Sequence, residues 1–253
     1  MDLKIKNKKA LVLGGSKGLG LAIAKTLAQE GAQVTIVSRN PEQAQIGDAC
    51  QTIAADLSNP KTPADIYAQL QARDFYPDIL VCNTGGPAPS TALDQPLDAL
   101  REGFQSLVLP QVDLVQLCAK DMKAKNWGRI ISIASSGVVS PLSNLAASNL
   151  LRSGLVAWAK TLATELGPYG VTVNTLIPGR IATDRLKSLD AFQAEKENKT
   201  AQAVSAAIQQ DIPVRRYGRP EEFAAMAAFI CSESAAYVTG SAIRIDGGYI
   251  PSI

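Results

Sequence analysis

A doubly wound α/β fold, with a seven-stranded parallel sheet covered by helices on both faces, is predicted by three features of the 253-residue chain. Short β-branched and apolar runs alternate with longer helical patterns, the rhythm of a parallel sheet whose crossovers are helices. The first run ends in a glycine-rich turn, Gly14-Gly15-Ser16-Lys17-Gly18-Leu19-Gly20, which opens directly into a helical pattern. Hydrophobic residues make up 46% of the chain and charged residues 19%, with glycine and proline spread along it. A single domain with a sizeable core is therefore expected.

Taken in order, residues 10–13 form the first strand. The helix at 19–29 follows, where Leu19, Ile23 and Leu27 recur every four residues as a stripe that can pack on the sheet, and Gly31 stops it. Strands at 33–38 and 50–54 lead to a helix at 63–72, and a strand at 78–82 leads to a helix at 97–125. Pro110 should bend or interrupt that last helix, because its ring removes a backbone donor and crowds the preceding turn. A strand at 129–134, a helix at 144–166 and strands at 171–177 and 242–245 complete the sheet. Residues 183–219 break the rhythm, being polar and helix-forming, with Glu195, Lys196, Glu197 and Lys199 among alanines. Inserted between the last two strands, they would lie outside the carboxyl ends of the sheet, where open α/β folds bind ligands. A substrate lid is the functional reading of this segment, and a peripheral helix pair is the plain one.

Composition excludes several classes of function. A formal charge of +2 gives no large field to recruit nucleic acid, and the run of Lys4, Lys6, Lys8 and Lys9 reads as a solvated edge. Cys50, Cys82, Cys118 and Cys231 have no CxxC spacing and the chain has no histidine, so no metal site and a reduced environment are expected. The first residues lack an apolar signal segment, and no apolar run approaches the roughly 20 residues of a membrane helix. The expectation is a cytoplasmic protein with neither a membrane nor a nucleic-acid partner.

A glycine-rich turn between strand and helix lets the backbone take positive φ and lets phosphate oxygens approach amide N–H groups, aided by the helix N-terminus. Its context here, strand before and helix after, is the one that gives the motif meaning. The spacing of Gly14, Gly18 and Gly20 resembles the TGxxxGxG turn of the short-chain dehydrogenase/reductase family, with Leu13 in place of the usual Thr. Leu80-Val81-Cys82-Asn83-Thr84-Gly85 is similar to that family's NNAG stretch, with Cys82 and Thr84 as departures. Asn174-Thr175-Leu176-Ile177-Pro178-Gly179, then Ile181 and Thr183, resembles its N-x-x-x-P-G-x-I-x-T motif. Gly218-Arg219-Pro220-Glu221-Glu222 and Asp246-Gly247-Gly248 resemble its C-terminal signatures. The resemblance spans essentially the whole chain and is nearest to the 3-oxoacyl-acyl-carrier-protein reductase-like branch. It implies a Rossmann-like fold, a nicotinamide dinucleotide, a small-molecule carbonyl or alcohol substrate, and a homodimer or homotetramer.

By the same resemblance, Gly14, Ser16, Lys17, Gly18, Leu19 and Gly20 would cradle the cofactor phosphates. Asp56 and Leu57 would contact the adenine, and Asn83 and Gly85 would line the adenosine side. Pro178 and Gly179 belong to the binding stretch whose Ile181 and Thr183 would meet the nicotinamide carboxamide. Charge indicates which dinucleotide is bound. At the end of the second strand, where an acidic residue would hold a ribose 2′-hydroxyl, the chain has Ser38-Arg39-Asn40. Arg39 can pair with a 2′-phosphate that a carboxylate would repel, and Lys17 adds a second cation. NADP(H) is therefore expected in preference to NAD(H).

The family's reductases use Asn, Ser, Tyr and Lys. Alignment back from Lys160-Thr161-Leu162-Ala163-Thr164-Glu165-Leu166, which resembles a family helix segment, puts Ser148 at the Tyr and Arg152 at the Lys. Ser135 falls at the Ser, and the Asn falls on Leu107, or on Ser106 after a one-residue slip. Ser148 and Arg152 keep the i, i+4 spacing of one helix face. A serine hydroxyl is a far weaker acid than a phenol, and an arginine does not give up its proton at neutral pH. Three readings stay open at this point. Ser135 and Ser148 could hold the developing oxyanion with Arg152 stabilising it and water supplying the proton. Arg152 could instead recognise an acidic substrate group or hold the cofactor. Finally, the chain could be a catalytically inactive NADP(H)-binding protein with a sensing or structural role.

Overall fold

The computed structural model describes residues 1–44, 46 and 50–252. Seven strands form one parallel sheet: β1 (Lys9–Leu13), β2 (Gln33–Ser38), β3 (Cys50–Ala54), β4 (Ile79–Cys82), β5 (Gly128–Ile133), β6 (Val171–Pro178) and β7 (Ala242–Ile245). Their spatial order is β3-β2-β1-β4-β5-β6-β7. Side chains of a strand alternate between faces, so a strand buried on both reads as an unbroken apolar run. β1 shows this directly. Val12 joins one core with Ile23, Leu27, Ile36 and Phe223, while Leu11 and Leu13 join the opposite core with Leu70, Leu114 and Val173.

The helices are α1 (Gly18–Gln29), α2 (Thr62–Ala72), α3 (Leu97–Gly103), α4 (Leu109–Lys125), α5 (Ala146–Leu166), α6 (Asp184–Glu197), α7 (Ala201–Asp211) and α8 (Pro220–Ile230). α1 and α8 cover the first core, and α2, α4 and α5 the second. The sequence reading had no helix at α8. Its signals are local: Pro220 occupies the first turn, where its missing N–H costs nothing, and the Glu222 carboxylate accepts the Arg219 N–H at 2.7 Å. Arg216 grips the same carboxylate with both terminal nitrogens at 2.8 and 2.7 Å.

Two expected boundaries are corrected. The helix expected at 97–125 is broken before Pro110 rather than at it, by a π-helical turn over Phe104–Val108. A proline cannot donate to the carbonyl four residues back and its ring crowds that turn; widening the preceding turn accommodates both effects. The helix expected to begin at residue 144 begins at Ala146, because Asn144 has φ 59°, a left-handed conformation outside the helix.

The strand order reverses between β1 and β4, which start helices on opposite faces and leave a crevice at their carboxyl ends. The crevice closes around glycines. A β-carbon on Gly20 would overlap the Gly14 carbonyl oxygen and stand 2.8 Å from Asn83 Nδ2, while one on Gly14 would lie 2.6 Å from the Asn83 carbonyl oxygen. Gly20→Ala should therefore cost roughly 1–3 kcal/mol of stability through overpacking. Thermal unfolding should show a fall of about 2–4 °C in Tm per kcal/mol for a chain of this size, and an unchanged Tm would contradict the close approach.

Candidate active site

A cleft of about 920 Å³ runs along the carboxyl edge of the sheet, from the end of β2 to the start of α6. Gly14, Ser16, Lys17, Gly18 and Leu19 line its central wall. Gly14 and Gly18 take φ of 60° and 57°, which glycine adopts without strain. Among the described residues no side chain caps α1, and no acidic residue stands in its first turn, so its N-terminal amides can receive an anion. Gly20 does not line the cleft. It lies beneath the turn, where the close approach to Gly14 and Asn83 requires the absence of a side chain.

Ser38, Arg39, Asp56 and Leu57 line one end. The Ser58 N–H donates to Asp56 at 3.0 Å and holds its carboxyl below the usual range, and the charge of nearby Arg39 acts in the same sense. The Ser38 hydroxyl oxygen is shielded from water and has no hydrogen-bond partner among the described residues. A buried orphan hydroxyl beside Arg39 and Lys17 fits an incoming group rich in acceptor oxygens. Asn83 and Gly85 continue the wall; Asn83 Nδ2 donates to the Gly14 carbonyl at 3.3 Å and so ties the β4 end to the glycine turn.

Pro178, Gly179, Ile181 and Thr183 line the opposite side. A β-carbon on Gly179 would stand 2.5 Å from the Asp246 Cα, so this glycine permits β6 and the end of β7 to meet. Thr183 caps α6, its hydroxyl accepting the Leu186 N–H at 3.3 Å. Other recognised motif residues are structural. Asn174 donates to the Val238 carbonyl at 2.7 Å and accepts the Ser241 N–H at 3.1 Å, while Asp246 accepts the N–H groups of Gly248 and Ile250.

Ser135, Ser148 and Arg152 all line the cleft. Ser135 follows β5, and its Oγ accepts the Gly137 N–H at 3.2 Å, leaving its own proton to donate into the cleft. Ser148 and Arg152 share a face of α5 and are each only 8% exposed. The Arg152 guanidinium donates to the carbonyls of Ile133 at 2.7 Å, Gly85 at 3.2 Å and Thr84 at 3.4 Å, bridging the ends of β4 and β5. Burial pulls its pKa down to about 10, and the charge of Arg185 adds to the shift. It remains a cation at neutral pH. Leu107 and Ser106, the two alternatives for the Asn position, both lie in the π-helical turn and line the cleft; the Leu107 carbonyl accepts from Gln111 Nε2 at 2.6 Å.

The outer end contains residues that the sequence reading did not single out. Arg185 reaches from the first turn of α6 to the Pro87 carbonyl at 3.3 Å, and Leu186 and Leu189 line the wall beside it. Arg180 pairs with Asp190 at 3.7 Å, and Asp190 also accepts from the Tyr217 hydroxyl at 2.9 Å, tying α6 to the segment that follows α7. The position of Arg185, two residues beyond the recognised Thr183, was the signal available for it. Among the described residues, no cluster of acidic, cysteine or histidine side chains could hold a metal ion, and no helix is long and apolar enough to cross a membrane.

The family model described as Enoyl-(Acyl carrier protein) reductase matches residues 14–250. NADPH-dependent reductase BacG of Bacillus subtilis is 32% identical over 261 residues, covering 97% of this chain and 99% of that one. The 3-oxoacyl-[acyl-carrier-protein] reductase FabG of Vibrio cholerae is 31% identical over 253 residues, covering 97% and 98%. L-sorbose reductase of Gluconobacter frateurii, complexed with NADPH and L-sorbose, superposes with a TM-score of 0.93 at 29% identity over 100% of both chains. With its strand order, its glycine turn and a match along nearly its whole length, the chain belongs to the short-chain dehydrogenase/reductase family, in its 3-oxoacyl-acyl-carrier-protein reductase-like branch.

Proposed function

We propose that the chain is an NADP(H)-dependent reductase that transfers a hydride between the nicotinamide and a carbonyl or alcohol substrate without the tyrosine and lysine usual in its family. The observation that carries this reading is that two hydroxyls, Ser135 and Ser148, and a buried cation, Arg152, line the same cleft as the glycine turn. Relatives named as NADPH-dependent or 3-oxoacyl reductases support the class of reaction.

The glycine turn and the uncapped α1 N-terminus would hold the cofactor diphosphate, and Arg39, Lys17 and the orphan Ser38 hydroxyl its 2′-phosphate. When bound, the nicotinamide supplies or accepts the hydride. Ser135 and Ser148 donate hydrogen bonds to the carbonyl oxygen as negative charge develops on it, and Arg152 stabilises that charge from a site poor in water. Each such donor is worth on the order of 3 kcal/mol in a preorganised site. Arg152 keeps its proton, so water delivers the proton to the alkoxide. Residues 183–219, with α6 along the cleft and α7 packed on it, act as the lid that sheds solvent from this step.

Three measurements test this reading. NADPH oxidation with a panel of ketones, 3-oxoacyl thioesters and quinones should show turnover, and Ser135→Ala should lower kcat about 100-fold with NADPH affinity unchanged. Binding without turnover across the panel would instead assign a nucleotide-binding role without catalysis. Arg39→Asp should weaken NADPH binding about tenfold or more and leave NADH binding largely unaltered, as followed by nicotinamide fluorescence. Finally, the Arg152 charge is present below pH 10 and lost above it. Activity should therefore hold through neutral pH and fall as pH rises past about 10, with circular dichroism confirming that the fold persists.

A further inference from the structure

The cleft carries positive charge that cofactor binding leaves unused. Lys17, Arg39, Arg152, Arg180 and Arg185 line it, against the carboxylates of Asp56 and Asp184. Lys17, Arg39 and Asp56 belong to the adenosine end. Arg180 is paired with Asp190, and Asp184 with Lys187 at 3.3 Å. Arg152 and Arg185 remain, and neither makes an ion pair among the described residues.

These two guanidinium groups converge on one point. A β-carbon built on Gly86 would stand 3.3 Å from Arg185 Nη2 and 3.8 Å from Arg152 Nη2, so the missing side chain of Gly86 lets both guanidinium groups approach the same stretch of backbone on the cleft wall. Arg152 approaches from α5, buried, and Arg185 from α6, at the mouth. Three carbonyl oxygens solvate Arg152 without neutralising it. Like charges this close repel, and the repulsion grows as the site loses water. A carboxylate between them would relieve both charges and present two oxygens to two planar donor forks.

We infer that Arg152 and Arg185 form an anion clamp at Gly86 for a carboxylate of the substrate, which makes the substrates of this chain 2-oxo or 3-oxo acids rather than neutral ketones. The inference rests on the reductase reading for where the reacting carbonyl lies. Ser148 stands one helical turn from Arg152 on the same face of α5, so a carbonyl held by the serines places a clamped carboxylate one or two carbons away. The competing anion is the cofactor diphosphate, for which the glycine turn and the α1 N-terminus already provide donors.

The test uses the full-length protein loaded with NADP+ and isothermal titration calorimetry with three non-reducible acids: oxamate, phenylacetate and 3-phenylpropanoate, each against its neutral amide. At least one acid should bind about tenfold or more tightly than its amide. Arg185→Gln, an exposed change that keeps a donor for the Pro87 carbonyl, should abolish that preference, and Arg185→Lys should restore part of it. NADPH affinity should be the same in all three proteins. Acids and amides binding alike throughout would overturn the clamp. A loss of NADPH affinity in Arg185→Gln with acid preference retained would also overturn it, assigning Arg185 to the cofactor. In parallel, kcat/KM for 2-oxo and 3-oxo acids should exceed that for their methyl esters. Acid-selective binding with no turnover of any carbonyl would keep the clamp and remove the reductase reading.

Discussion

Backbone contact across the seam between β1 and β4 is the constraint on which the rest of this structure depends. At this seam the strand order reverses, and the glycine turn after β1 must lie against the end of β4 with no β-carbon between them. Gly14 and Gly20 provide the space, and Asn83 spends its amide on the Gly14 carbonyl to hold the two together. Because the turn sits against Asn83, α1 points its uncapped N-terminus along the crevice and the residues after β4 form the crevice wall. The apolar alternation of β1, which buries Val12 on one face and Leu11 and Leu13 on the other, then anchors both layers of helices to the same seam.

The second determinant is a buried positive charge. Arg152 lines the crevice, where it bonds to carbonyls from both sides of the gap between β4 and β5. Those bonds give the guanidinium a structural reason to be there, since its planar fork can reach several carbonyls at once. They also explain its environment: burial depresses the pKa, yet not far enough to make the side chain an acid at neutral pH.

Much of the fold was legible in the sequence, because parallel strands buried on both faces must be apolar throughout and the helices between them must carry an apolar stripe. The elements that were missed obey subtler rules. α8 is mostly apolar after its first turn, and its start is marked by Pro220, Glu221 and Glu222. The π-helical turn at Phe104–Val108 results from where a proline's lost donor is absorbed, which depends on how Leu107 packs against α5. Cleft residues at the ends of β1, β2 and β4 were readable because turns after strands require particular side chains. Gly20 read as a phosphate contact although its role is steric, since glycine in a turn looks the same in sequence whether a ligand or another strand approaches it.

The sequence by itself determined the fold class and the glycine-rich turn between β1 and α1, since each follows from local spacing and residue chemistry. Only the tertiary structure decided how the charges are shared. Arg180 precedes α6 and Arg216 follows α7, yet one is committed to Asp190 and the other to Glu222, while Arg185 of α6 and Arg152 of α5 both approach Gly86. Nothing in the linear order distinguishes these arginines, because ion pairing depends on distances between elements far apart in the chain, and those distances exist only once α6, α7 and α8 are packed.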